Sequence, residues 1–104
     1  MRTKNRPKIT PSTGNVFRDL GFPREEAEHL LIRADLMIEL QRRLDAKGMS
    51  QAAAARLLQV TQPRISDLLR GRIDLFSTDA LIDLLARLGA QVSVVVKPSR
   101  RKVA

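Results

Sequence analysis

The sequence has no cysteine, tryptophan or tyrosine, and its aromatic residues are three phenylalanines. Without cysteine there can be no disulfide and no thiolate metal site, and a reducing cytoplasm is the compartment to expect. With so few aromatics, a core must be built from Leu, Ile, Val and Ala. No apolar run approaches the ~20 residues of a membrane span. The opening "MRTKNRPKITPSTG" is basic but has no apolar stretch behind it, so a secretory signal is not expected. The one histidine, His29, sits among Glu25, Glu26 and Glu28. A carboxylate–histidine metal site is conceivable there, but a solvated helix face is the weightier reading. No glycine-rich phosphate loop or metal motif is present. An enzyme is therefore the least supported class, and no cofactor or metal is expected.

What is present is one small domain's worth of chain, 104 residues with 43% hydrophobic content. A chain of this size buries roughly 60–70% of its unfolded surface, enough for one core. The net charge of +8 is unevenly placed. Arg2, Lys4, Arg6 and Lys8 lie in the first fourteen residues, and Lys97, Arg100, Arg101 and Lys102 in the last eight, with no acid in either stretch. The eleven basic residues between them are balanced by the chain's eleven acids. Two basic arms around a neutral body suit a polyanion such as nucleic acid; the plainer alternative is a pair of solubilising tails. The division expected is a flexible basic arm over 1–15, a domain over 16–97 and a basic tail over 98–104.

Along the chain, "NVFRDLGF" can fold back as a short turn through Val16, Phe17, Leu20 and Phe22. Pro23 then opens a long helix, where a missing N–H costs nothing, and Gly48 ends it. Ala27, Leu30, Leu31, Ala34, Met37, Ile38, Gln41 and Leu44 form one stripe, and Ile32, Leu36 and Leu40 a second beside it. The surplus at Leu30 to Leu36 is either a partner surface or the seat of the N-terminal segment. Ser50 is placed to cap "QAAAARLL", Thr61 to cap "QPRISDLLR" with Gly71 at its end, and Ser77 to cap "TDALIDLLARL" with Gly89 at its end. Leu81, Ile82, Leu84, Leu85 and Leu88 supply the last helix's core face. "QVSVVVK" reads as a strand with Val92, Val94 and Val96 on one side. It is the only clear strand, so its partner must be the same strand of another copy or a strand of another protein.

Two short capped helices joined by a three- to four-residue turn, "MSQAAAARLLQVTQPRISDLLRG", have the spacing of a helix-turn-helix. Ala55 is small where the helices cross, and Leu58, Val60, Ile65 and Leu68 would share the core. At 100° per residue, Pro63, Ser66, Asp67 and Arg70 face away from Ile65 and Leu68, with Gln62 at the edge and Arg64 and Leu69 on the flanks. That short-chained polar start suits insertion into a DNA major groove.

The stretch "MSQAAAARLLQVTQPRISDLLRGRIDLFSTDALIDLLARLGAQVSVVV" resembles the XRE, lambda-repressor-like family, and more narrowly its branch of HigA-like antitoxins, over roughly residues 16–97. The resemblance implies an all-α, lambda-repressor-like helix-turn-helix bundle of four to five helices, with one C-terminal β-strand that pairs between chains. It implies a homodimeric, sequence-specific transcriptional repressor that binds a palindromic operator in double-stranded DNA, without a membrane. As an antitoxin it would also hold a small RelE- or HigB-like toxin; the alternative is a stand-alone or phage-type regulator. Gln51 would bond a phosphate, and Gln62 would read a base, most simply adenine, unless it is only a polar helix start. Pro63, Ser66 and Asp67 fall on groove-facing positions, although Ser66 can equally bond a phosphate. Asp67 can accept from cytosine, but pairing with Arg64 or Arg70 is favoured. Arg64, Arg70 and Arg72 are phosphate contacts ahead of base readers. Val92, Val94 and Val96 are the dimerisation residues, and Leu69 is either a dimer contact or a partly exposed core residue. Gln59 stands where the family's turn often has Gly, so a strained or altered turn is expected.

Overall fold

A computed structural model describes residues 15–98. All of the expected arm except Asn15, and all of the expected tail except Pro98, lie outside these residues. The described part has five α-helices: α1 (Val16–Asp19), α2 (Arg24–Lys47), α3 (Gln51–Leu58), α4 (Gln62–Leu69) and α5 (Thr78–Arg87), with one 3-10 turn at Ile73–Leu75 between α4 and α5. None of these helices is long and apolar enough to cross a membrane.

Each helix starts where its sequence permits. Asn15 accepts from the Phe17 N–H and caps α1. Its side-chain amide also donates to the Ala27 carbonyl at 2.8 Å, which ties α1 to α2. Phe17 and Phe22 meet edge to face, with ring centroids 6.2 Å apart. Pro23 stands one place earlier than expected: it is the N-cap residue of α2, in extended backbone, rather than a member of the first turn. Glu25 and Glu26 then lie at the positive end of the helix dipole. The hydroxyls of Ser50, Thr61 and Ser77 accept from the N–H three residues on, at 3.1, 3.3 and 3.0 Å, and begin α3, α4 and α5.

The core gathers Met37, Leu40 and Leu44 of α2, Ala54, Ala55 and Leu58 of α3, Ile65 and Leu68 of α4, Phe76, and Leu81, Leu84 and Leu85 of α5. The two stripes read along α2 therefore merge: its core line takes Met37 and Leu44 from one and Leu40 from the other, while Ile38 and Ile32 stay exposed. The α1 segment covers α2 around Ala27, not around Ile32. Ile32 and Leu36 instead border a groove completed by Thr78, Ile82 and residues 92–95.

Residues 91–98 form neither helix nor β-ladder. A strand is defined by hydrogen bonds to a neighbour, and the described residues offer this segment no second strand. Val92 packs against the core. Val94 and Val96 are 76% and 88% exposed, and Val95 is exposed as well.

Candidate nucleic-acid interface

The outward side of α4 is the surface to which the sequence points, and its position is set by both of its ends. At its entry, the turn after α3 closes through Gln59, which adopts left-handed backbone (φ 60°, ψ 45°) and is the one non-glycine residue with positive φ among those described. The Val60 N–H donates back to the Ala55 carbonyl at 3.0 Å, and the Gln59 N–H to the Arg56 carbonyl at 3.3 Å. This is the Schellman closure of a helix end. The turn keeps its geometry without glycine, so the expected departure appears as strain at one residue rather than as an altered path.

At its exit, Gly71 takes the left-handed position (φ 75°), and the Arg72 N–H closes on the Asp67 carbonyl at 3.1 Å. The side-chain amide of Gln41 donates to the Leu68 carbonyl at 2.8 Å. That explains a glutamine on the apolar side of α2: it adds a side-chain donor to a carbonyl in the last turn of α4, which also accepts from the Gly71 N–H at 3.0 Å. Two arginines brace the frame in the same way, Arg33 at the Ile73 carbonyl (3.2 Å) and Arg87 at the Leu58 carbonyl.

The predicted residues fall as follows. Gln62 and Pro63 are the first two residues of α4 and are exposed; Ser66 and Asp67, one turn on, are half-buried. Gln51 is the first residue of α3 and is exposed. Ile65 and Leu68 point into the core. Leu69 is an exposed flank that shares a shallow cleft with Gln51, Asp45 and Met49. Arg70 pairs with Asp67 at 2.8 Å, so of the two arginines expected as partners of Asp67 it is Arg70 that takes the place. Arg72 pairs with Asp74 through both nitrogens of one guanidinium edge, at 3.2 and 3.1 Å. The hydrogen bond and charge of Asp74 push the Arg72 guanidinium up from its ordinary pKa, and the hydrogen bond from Arg72 pulls Asp74 below the usual carboxylate range.

Arg64 is placed differently from its expected phosphate role. Its guanidinium lies over the Phe76 ring, 3.9 Å from the centroid, and donates to the Leu75 carbonyl at 2.8 Å. It is a strut between α4 and the end of the 3-10 turn. Phe76, Arg33, Arg87 and Asp74 all shape this region without standing out in the sequence pattern, and Gln41 stands out there only as a member of the α2 stripe. A buried aromatic in the "DLF" loop was a usable signal for Phe76; bonds to distant carbonyls leave no periodicity to read. Val92, Val94 and Val96 are not brought to α4: the groove that Val92 and Val94 help to line contains no α4 residue. His29 is exposed on α2, and among the described residues no group of three His, Cys, Asp or Glu side chains converges to hold a metal.

Chemically, the surface offers amide, hydroxyl and apolar contacts at the start of a helix, with arginines beyond its end. That is a combination for reading base edges and gripping phosphates. The chain matches a family model described as a helix-turn-helix domain over residues 16–97. A solved chain assigned to the XRE family of transcriptional regulators is similar at 33% identity, over 76% of this chain and 89% of its own, with a TM-score of 0.68. No curated protein gives a match.

Proposed function

The chain belongs to the XRE-type helix-turn-helix family, and from that membership we propose that it is a sequence-specific DNA-binding transcriptional repressor that acts as a homodimer. The observation that carries this reading is α4 itself, fixed at both ends, with Gln62, Pro63, Ser66 and Asp67 on its outer side. Gln62 and Pro63 meet base edges first, the amide at an adenine and the ring at a thymine methyl. Gln51, Arg70 and Arg72 take phosphates; Arg64 acts from beneath, holding α4 to the following loop through Leu75 and Phe76. The basic arm over 1–15 and tail over 98–104 add sequence-independent attraction to the domain between them.

One helix makes few base contacts, so a dimer on two half-sites about one helical turn (~34 Å) apart is expected. The segment around Val92, Val94 and Val96 is the dimer element, pairing as a strand with its copy; its exposed valines support this. The narrower role is that of an antitoxin that binds a small RelE- or HigB-like toxin and represses its own operon, and the groove at Ile32 and Leu36, open among the described residues, is what supports it over a stand-alone or phage-type regulator. Co-expression with the product of an adjacent gene decides between the two: a stable complex that still binds DNA is expected of the antitoxin.

The DNA-reading assignment is tested by selecting duplexes from a randomised pool and measuring affinity. Gln62→Ala should lose about 1–3 kcal/mol of discrimination at one base pair. Arg70→Ala should weaken binding to every sequence and flatten the salt dependence. An unchanged selected site and affinity for Gln62→Ala would refute the assignment.

A further inference from the structure

We propose, resting on the DNA-binding reading above, that Asp74 is a specificity-determining residue: by occupying one guanidinium edge of Arg72 it restrains binding to DNA of arbitrary sequence. The argument comes from two ion pairs near the end of α4 that are built in opposite senses. In the first, the Asp67 side chain is 26% exposed and that of Arg70 is 61% exposed. The acid lies under the base, so the carboxylate aims the arginine outward and the positive charge is what a partner meets. In the second, the order is reversed: Asp74 is 62% exposed and Arg72 is 46% exposed. Here the carboxylate is the outer member of the pair.

Both oxygens of Asp74 engage the Nε–Nη2 edge of Arg72. That planar edge is one a phosphate would take with two parallel bonds. A phosphate approaching Arg72 therefore meets a negative charge and an occupied fork. Binding to arbitrary DNA is a sum of phosphate contacts, and this pair removes one contact from the sum. A duplex already held in register by the base contacts of α4 keeps a phosphate beside Arg72 long enough for the exchange of partners. Asp74 thus costs non-specific complexes more than specific ones. It acts through Arg72, as a positioning residue, and touches no base.

Asp74→Asn tests this with mixed-sequence duplex DNA as the probe, titrated by fluorescence anisotropy between about 50 and 200 mM salt. The variant should bind about five- to tenfold tighter at the lowest salt, with a log–log salt slope steeper by about 0.9, the release expected from one further phosphate contact. Thermal unfolding should not move. Glu28→Gln makes the same change in net charge on α2, and its slope should match the wild type. In an Arg72→Ala background the gain from Asp74→Asn should vanish. Binding by Asp74→Asn that is equal to or weaker than wild type, or a gain that survives Arg72→Ala, overturns the inference while leaving the DNA-binding reading intact. Failure of wild type and variant alike to bind any duplex overturns that reading and this one with it.

Discussion

Helix α4 and the segment over residues 91–98 both present side chains outward, but they are held in opposite ways. α4 is fixed at its start by Thr61, at its end by Gln41 on the Leu68 carbonyl, and along its length by Arg64 on Phe76 and Leu75. The C-terminal segment is anchored by Ala90 and Val92 against the core, and then runs on through three exposed valines with no ladder. The contrast follows from what each is proposed to meet. The DNA groove is a stiff partner of fixed dimensions, so a reader that is ordered beforehand loses less entropy on binding. A strand completed by another chain gains its hydrogen bonds only on association, and until then it has none to order it.

The largest break in that contrast is made by loosening the braced end. Phe76 is buried and is also the platform under Arg64. Phe76→Ala should cost about 3–5 kcal/mol, measured by urea unfolding, because it leaves a cavity and frees the strut together. Arg64→Lys should cost far less. It keeps a charge that can reach the ring and loses the planar guanidinium and its bond to Leu75, a loss of about 1 kcal/mol. Equal losses in the two variants would mean that the ring matters only through the arginine.

The opposite break is made at the other region. Val94→Asp with Val96→Asp places like charges where two copies would pair, on side chains that contribute little to the single domain. Urea stability of the monomer should stay within about 0.5 kcal/mol. Sedimentation should report a monomer, and affinity for a two-half-site duplex should fall by about a hundredfold or more as the second half-site contact is lost. Truncation after residue 92 is the matching deletion, since Val92 belongs to the core. A doubly substituted chain that remains dimeric places the dimer contact elsewhere.

These two regions were also unequally legible in the sequence. Caps, helix ends and the inward pair Ile65 and Leu68 are local patterns, and each was readable because one residue type at one offset has one physical use. The pairing of Asp67 with an arginine three residues away was readable for the same reason, although spacing alone left Arg64 and Arg70 as alternatives and the fold takes Arg70. The braces were not. Gln41 to Leu68, Arg87 to Leu58 and Arg64 to Leu75 join residues whose separation carries no periodic signal. Arg64 in particular reads as a phosphate contact because a helical wheel shows which way a side chain leaves the helix, not what packs above it. Val92, Val94 and Val96 were read as one row of equals, whereas the fold uses the first and leaves the other two exposed.

The smallest expected effect concerns the joint between α3 and α4. Gln59 holds φ 60° in a turn that closes by two backbone bonds, and its side chain is exposed. For an L-residue with a Cβ, the left-handed region costs roughly 1–2 kcal/mol. Glycine avoids that cost but brings a larger conformational entropy to the unfolded chain, which returns about 0.5–1 kcal/mol. The difference sets both the sign and the size: Gln59→Gly should stabilise the domain by about 0.5–1 kcal/mol, measured by urea unfolding. If that is the whole effect, DNA affinity should be unchanged, because the turn already has the geometry that glycine would give it. If affinity falls while stability rises, the glutamine side chain or the stiffness of the joint contributes to how α4 is presented, and the bracing seen at the helix end extends to its entry turn.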